Sequence, residues 1–271
     1  MQLTFLGTGA AGGVPLYGCD CAACRRAQSD SRFVRRPCSA LVEAGKTRLL
    51  LDAGPMDLHA RFAPGALSAI VLTHFHPDHV QGLFHWRWGA GERLPVFCPP
   101  DPEGCADLFK NPGLFDFRPL RLTEPLCLGD FVLTALPLNH SKLTYGYALE
   151  AAGCRLAYLT DTCGLPAPTV AFLRRWGAFD LALDCSFPPT DAPQNHNDWT
   201  LAHTLIQTLK PRRTWLTHLS HRLDDWRLRH APSLPEDVSV AEDGQVCEVG
   251  DSEAGCAPDF SLSDAEWLPA C

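Results

Sequence analysis

The chain has 271 residues, 46% of them hydrophobic, and a formal net charge of -8. That length and apolar content can bury one sizeable core, so a single domain is expected over residues 1–250. No Lys or Arg follows Arg229 while acidic residues continue to Glu266, so the acidity sits at the C-terminal end. An acidic chain without a basic stripe argues against broad nucleic-acid binding, which needs clustered cations.

The opening Met-Gln-Leu-Thr-Phe has no cationic segment followed by an apolar one, and no later stretch offers the ~20 apolar residues of a membrane span. A cytoplasmic protein with no membrane partner is the expectation. The thirteen cysteines are odd in number and come without a secretion signal, so most are expected to be reduced thiols.

In chain order, short apolar runs predict strands at Leu3–Leu6, Leu49–Leu51, Ala69–Leu72, Val96–Cys98, Phe131–Leu136, Leu156–Leu159, Leu181–Leu183 and Trp215–Leu216. Helices are predicted at Pro166–Trp176, opened by a proline, and at Trp199–Leu209, where Asn197 or Asp198 supplies the N-cap and Pro211 stops the helix. Residues 251–271 lack periodicity and read as an acidic, flexible tail. The glycine-rich Gly7–Gly13 is followed by no compact β-α-β unit, so it reads as a tight turn near the site rather than a dinucleotide loop.

The polar residues gather at strand ends. His74-Phe75-His76-Pro77-Asp78-His79 places three imidazoles and a carboxylate within six positions. A lone His is more often a hydrogen-bonded core residue, but four such groups in one loop without a cation would leave lone pairs unsatisfied. Imidazole and carboxylate together suit Zn, Mn or Fe. His140, Asp161 and His218 follow three further predicted strands. Separately, Cys19, Cys21 and Cys24 form a C-x-C-x2-C cluster. Three thiolates need a fourth ligand for tetrahedral zinc, and His221, three residues past His218, is the best candidate. Such a site would brace the strand end that carries His218.

The H-x-H-x-D-H run followed by a distant His, an Asp and a final His resembles the metallo-β-lactamase superfamily. That resemblance implies an α/β fold, an αββα sandwich of two sheets covered by helices on the outer faces. It implies two divalent metals, Mn or Zn, with His74, His76 and His140 on one, Asp78, His79 and His218 on the other, and Asp161 bridging. Paired metals of this kind lower the pKa of the water between them. Asp52 would then brace the loop rather than bind metal directly.

The cysteine cluster, together with Arg36-Pro37-Cys38-Ser39, Leu72-Thr73-His74 through Leu83, Arg87-Trp88-Gly89, Leu136 through Thr144, and Leu216 through His221, is similar to the PhnP-type cyclic phosphodiesterases of the carbon-phosphorus lyase pathway. The resemblance covers residues 1–250. It implies hydrolysis of 5-phospho-α-D-ribose 1,2-cyclic phosphate to ribose 1,5-bisphosphate in phosphonate catabolism, and a homodimer. Asp78 is then catalytic as well as a ligand. His196, in Asn195-His196-Asn197-Asp198, is the candidate donor to the leaving alkoxide, oriented by Asp78. Lys142 is the first candidate for a second substrate phosphate, with Arg87 and Lys110 behind it. Three rivals remain open. A tRNA 3′-processing endonuclease would need a basic arm that the sequence does not show. An inactive metal-bound binding protein, or a β-lactam or thioester hydrolase, would share the fold without this reaction.

Overall fold

A computed structural model describes residues 1–250; the flexible tail expected over 251–271 lies outside the described residues. The first half runs through β1 (Gln2–Gly7), α1 (Ala22–Ser29), β2 (Ser39–Ala44), β3 (Thr47–Leu51), α2 (Leu58–Arg61), β4 (Ala69–Val71), α3 (Pro77–Val80), α4 (Leu83–Trp86), β5 (Leu94–Cys98), α5 (Ala106–Lys110) and β6 (Phe115–Pro119). The second continues with β7 (Pro125–Leu128), β8 (Phe131–Pro137), β9 (Tyr145–Ala151), β10 (Cys154–Leu159), α6 (Ala167–Arg175), β11 (Asp180–Asp184), α7 (Trp199–Leu209), β12 (Thr214–Thr217), α8 (His221–His230), β13 (Val238–Val240) and β14 (Val246–Glu248).

These strands form two seven-stranded sheets, ordered β14-β1-β2-β3-β4-β5-β6 and β13-β12-β11-β10-β9-β8-β7. The first sheet is antiparallel over β14-β1-β2-β3 and the second over β10-β9-β8-β7; each is parallel where helices cross over, from β3 to β6 and from β10 to β13. Strand alternation sorts the side chains between layers. Leu49 and Leu51 face the other sheet, where Tyr147, Leu149 and Tyr158 meet them. Leu50 faces outward, onto Leu58 of α2 and Leu83 of α4. On the far side Leu181 and Leu183 pack against Leu205, Ile206 and Leu209 of α7. The result is the expected αββα sandwich, with helices on both outer faces.

Helix α7 has the expected bounds, with the Asp198 side chain accepting from Leu201 N at 2.7 Å. Helix α6 sits within the expected segment, flanked by Pro166 and Trp176. Six strands had no counterpart in the sequence reading: β2, β6, β7, β9, β13 and β14. Edge strands such as β7 and β14 keep polar or exposed positions that break an apolar run. Helix α8 was also missed, because its face is mostly charged; its signal was Ser220, whose hydroxyl accepts from Leu223 N. Among the described residues no helix is long and apolar enough to cross a membrane.

Parallel neighbours end at the same rim, so the loops after β3, β4, β10, β11 and β12 open together. Asp52, Asp161 and His218, each just past a strand, have φ of 56°, 62° and 60°. This left-handed backbone is costly for a non-glycine residue, and such strain collects where side chains are aimed at a common point.

Candidate metal centre

His74, buried at the end of β4, starts the cluster. Its Nε2 lies 2.9 Å from His76 Nδ1, which in turn lies 3.0 Å from His140 Nε2. Across from this triad, Asp78 Oδ2 lies 3.3 Å from His79 Nε2 and 3.7 Å from His218 Nε2. Asp161 stands between the two groups. Its Oδ1 is 3.8 Å from His74, 3.7 Å from His140 and 3.4 Å from His218, while Oδ2 is 3.1 Å from His79. The structure thus brings together all seven residues expected as ligands.

The opposite edges of the rings are tied down. His79 Nδ1 donates to Asp52 Oδ2 at 2.8 Å, and His140 Nδ1 donates to the Asn195 carbonyl at 3.0 Å. His218 Nδ1 lies 2.8 Å from Ser186 Oγ, and His74 Nδ1 lies 3.0 Å from Thr73 Oγ1. Hydrogen bonds of this kind set the tautomer and aim the other nitrogen inward, as they do behind metal-ligating histidines. Asp52 has the bracing role expected of it: it also accepts from Thr73 N and Thr73 Oγ1 at 2.7 and 3.0 Å.

His79 Nε2, His218 Nε2 and Asp161 Oδ2 are buried without a well-directed hydrogen bond, although His79 Nε2 and Asp161 Oδ2 lie within ion-pair distance of each other. Orphaned polar atoms carry a desolvation penalty that a shared cation would remove. Burial, reinforced by His79, holds His74 well below the ordinary histidine range, and burial lowers His76 and His140 as well; burial also acts to lower His79 and His218, but Asp161 outweighs it and carries His79 well above that range and His218 up to about 9. Neutral imidazole is the form that ligates metal, so an ion entering beside His79 and His218 would displace their protons. Burial pushes the Asp161 carboxyl up, but His218, His79 and His74 outweigh it and hold it well below the carboxylate range. The donor set fits divalent metal, with two His-rich groups of ligand atoms and Asp161 between them.

His196 lines the same space, but Asp78 does not orient it. Its Nδ1 donates to Asp184 Oδ2 at 2.8 Å, and Asp184 also accepts from Ser186 Oγ. Asp184 was not anticipated, because a buried Asp ending an apolar strand looks like any strand-terminal cap. Lys142 is likewise turned elsewhere: its Nζ lies 3.2 Å from Asp101 Oδ2. Arg87 pairs with Asp107 at 2.6 Å, and Lys110 closes helix α5.

The second cluster assembles at two helix starts. Cys21 precedes α1, Cys24 lies in its first turn, and His221 opens α8. His221 Nδ1 lies 3.3 Å from Cys19 Sγ and 3.7 Å from Cys21 Sγ, and all four ligand atoms fall within 4.8 Å of one another. Burial pushes the Cys24 thiol up to about 12, so a thiolate there needs a cation beside it. Three sulfurs and an imidazole nitrogen fit a tetrahedral zinc.

Above the His/Asp cluster opens a cavity of about 320 Å³. Its walls include the glycine-rich turn at Ala10–Gly13, as well as Ser141, Phe187, Asn195 and His196. Gly7 lets that turn lie close to its neighbour, since a Cβ there would stand 2.0 Å from the Pro37 carbonyl oxygen.

A model of the beta-lactamase superfamily domain matches residues 47–219. The chain belongs to the metallo-β-lactamase superfamily. Among solved members, a diphosphatase from the PhnP family superposes with a TM-score of 0.74 at 28% identity, covering 91% of this chain and 96% of that one. Coenzyme PQQ synthesis protein B from Methylobacterium is 37% identical over 228 residues, 68% of this chain and 72% of that protein. An octanoyltransferase from Porphyromonas gingivalis is 30% identical over 261 residues, 90% of this chain. The chain spans about half of that relative, 51% of its length. The metallo-β-lactamase fold, the clustered ligands and these likenesses together make the chain a metal-binding, hydrolase-like member of the superfamily.

Proposed function

We propose that this protein is a phosphodiesterase that opens small cyclic phosphates, with 5-phospho-α-D-ribose 1,2-cyclic phosphate, hydrolysed to ribose 1,5-bisphosphate, as its substrate in phosphonate catabolism. The observation that carries the reading is a His/Asp cluster with metal-ligand spacing at the base of a cavity of about 320 Å³, with His196 in its wall and Asp184 behind it. That volume is at the small end of ligand sites, roughly 300 to 1,000 Å³. It suits a phosphorylated sugar better than a folded RNA. Likeness to a PhnP-family diphosphatase supports the same chemistry.

His74, His76 and His140 would hold one ion and Asp78, His79 and His218 the other, with Asp161 shared. Bound there, divalent ions supply an acidified water and draw charge from the phosphoryl oxygens. Asp78 and Asp161 face the same space and orient the attacking water. As water adds to phosphorus, the ring P–O bond to the sugar breaks and the oxygen needs a proton, because a sugar alkoxide leaves poorly. His196, held at Nδ1 by Asp184, delivers that proton from Nε2. The thiolate cluster would hold a structural zinc that fixes His221, and through it the loop carrying His218.

A second reading, a part in coenzyme PQQ synthesis, is favoured by the 37% identity to protein B of that pathway. Elemental analysis of the purified protein beside a phosphorus NMR assay separates the two. The ribosyl cyclic phosphate, 2′,3′-cyclic nucleotides and a tRNA precursor serve as substrates. Three metals per chain and ring opening of small cyclic esters are expected. Cleavage of the tRNA precursor alone would move the assignment to an endonuclease, and no phosphate-ester turnover at all would favour the second reading.

A further inference from the structure

Arg222 is the one Lys or Arg among the described residues that line the cavity above the metal cluster. Neighbouring charges leave it available. Of the two carboxylates that follow it in α8, Asp224 pairs with Arg35 at 2.6 Å and with Arg227 at 3.1 Å, and Asp225 pairs with Arg229. The described contact of the Arg222 guanidinium is instead with a ring: it lies 5.8 Å from the centroid of Phe187, itself a cavity residue. The cations that the sequence favoured for this role face away. Lys142 is held by Asp101 and Arg87 by Asp107, and neither lines the cavity.

The position is also rigidly supported. Arg222 follows His221, which the thiolate cluster surrounds, and Ser220, whose hydroxyl donates to the Ser186 carbonyl. Two residues before Ser220 stands His218, a member of the metal cluster. One short segment therefore sets the reacting end of the cavity and its cationic side together.

We infer that Arg222 is the specificity residue for a second phosphate monoester on the substrate, one that takes no part in the ring opening. This rests on the phosphodiesterase reading and extends it. A guanidinium matches a phosphate in charge and in its forked donor geometry, and binds it more tightly than a single-point cation. A cyclic ester carrying that extra phosphate should be preferred over the same ester without it.

The test compares wild type, Arg222→Gln, Arg222→Lys and Lys142→Gln on ribose 1,2-cyclic phosphate with and without the 5-phosphate. The readout is the ratio of kcat/KM for the two esters. Ribose 5-phosphate, which has no ring ester, is run as a competitive inhibitor, and the metal content of each variant is measured. Arg222→Gln should lower the preference for the doubly phosphorylated ester by roughly ten- to a hundredfold, the worth of one charge-assisted hydrogen bond. The inhibition constant of ribose 5-phosphate should rise in step, and Arg222→Lys should restore part of both. An unchanged ratio in Arg222→Gln, an equal fall in both rates, or loss of the preference in Lys142→Gln instead would overturn the assignment while leaving the phosphodiesterase reading intact. Failure of the wild type to open either ester would overturn both.

Discussion

Replacing Asp52 by Ala removes a carboxylate that does not line the cavity above the cluster, and this separates support of the metal site from membership in it. Asp52 is fully buried. It accepts from Thr73 N, from Thr73 Oγ1 and from His79 Nδ1. Truncation leaves those three donors without an acceptor, at about 1–3 kcal/mol each. Part of that loss is offset because burial alone pushes the Asp52 carboxyl up, so the native state already bears a desolvation penalty. The net is about 3–5 kcal/mol, the usual cost of breaking a buried charged pair. At roughly 2–4 °C per kcal/mol for a domain of this size, the Tm should fall by roughly 6–20 °C. The His79 ring also loses its anchor, so affinity for the ion expected on Asp78, His79 and His218 should drop about 10- to 100-fold. Thermal unfolding with metal excess, and competition against a chromophoric chelator, read the two effects separately. Asp52→Asn, which keeps an acceptor for Thr73 but offers His79 a weaker one, should recover most of the Tm and little of the affinity. An Asp52→Ala protein with the melting temperature and metal affinity of wild type would show that His79 is positioned by something else.

Three further outcomes follow from the geometry. His196→Ala should slow opening of a sugar cyclic phosphate by roughly 10²- to 10⁴-fold and a 4-nitrophenyl ester far less, because nitrophenolate leaves without a proton; equal losses on both esters would contradict the donor role. Cys21→Ser with Cys24→Ser should remove one zinc per chain by elemental analysis and weaken turnover through the His218 loop, whereas unchanged zinc content would disprove the thiolate site. Gly7→Ala forces a Cβ to within 2.0 Å of the Pro37 carbonyl oxygen and should cost about 1–3 kcal/mol or more, seen as a lowered Tm or as insoluble protein; a stable variant would mean that the turn can shift.

Local chemistry is what the amino-acid order by itself determined. The H-x-H-x-D-H run places four ligand groups by covalent spacing alone, and the C-x-C-x2-C cluster needs only one short loop. Helix α7 was readable for the same reason, since its cap at Asp198 and its stop at Pro211 are neighbours in sequence. Strands such as β2 and β9 escaped notice because Ser39 and Glu43 in the one, and Gly146 and Glu150 in the other, interrupt the apolar run that marks a buried strand. Tertiary structure alone decided the pairings between distant carboxylates and cations. Asp184 rather than Asp78 orients His196, Asp101 claims Lys142, and Arg222 faces the cavity because Asp224 and Asp225 are engaged by other arginines. Electrostatic partners are chosen by proximity across the fold: Asp184 at the end of β11 meets His196, and Asp101 past β5 meets Lys142 past β8, only once the sheets bring those segments together.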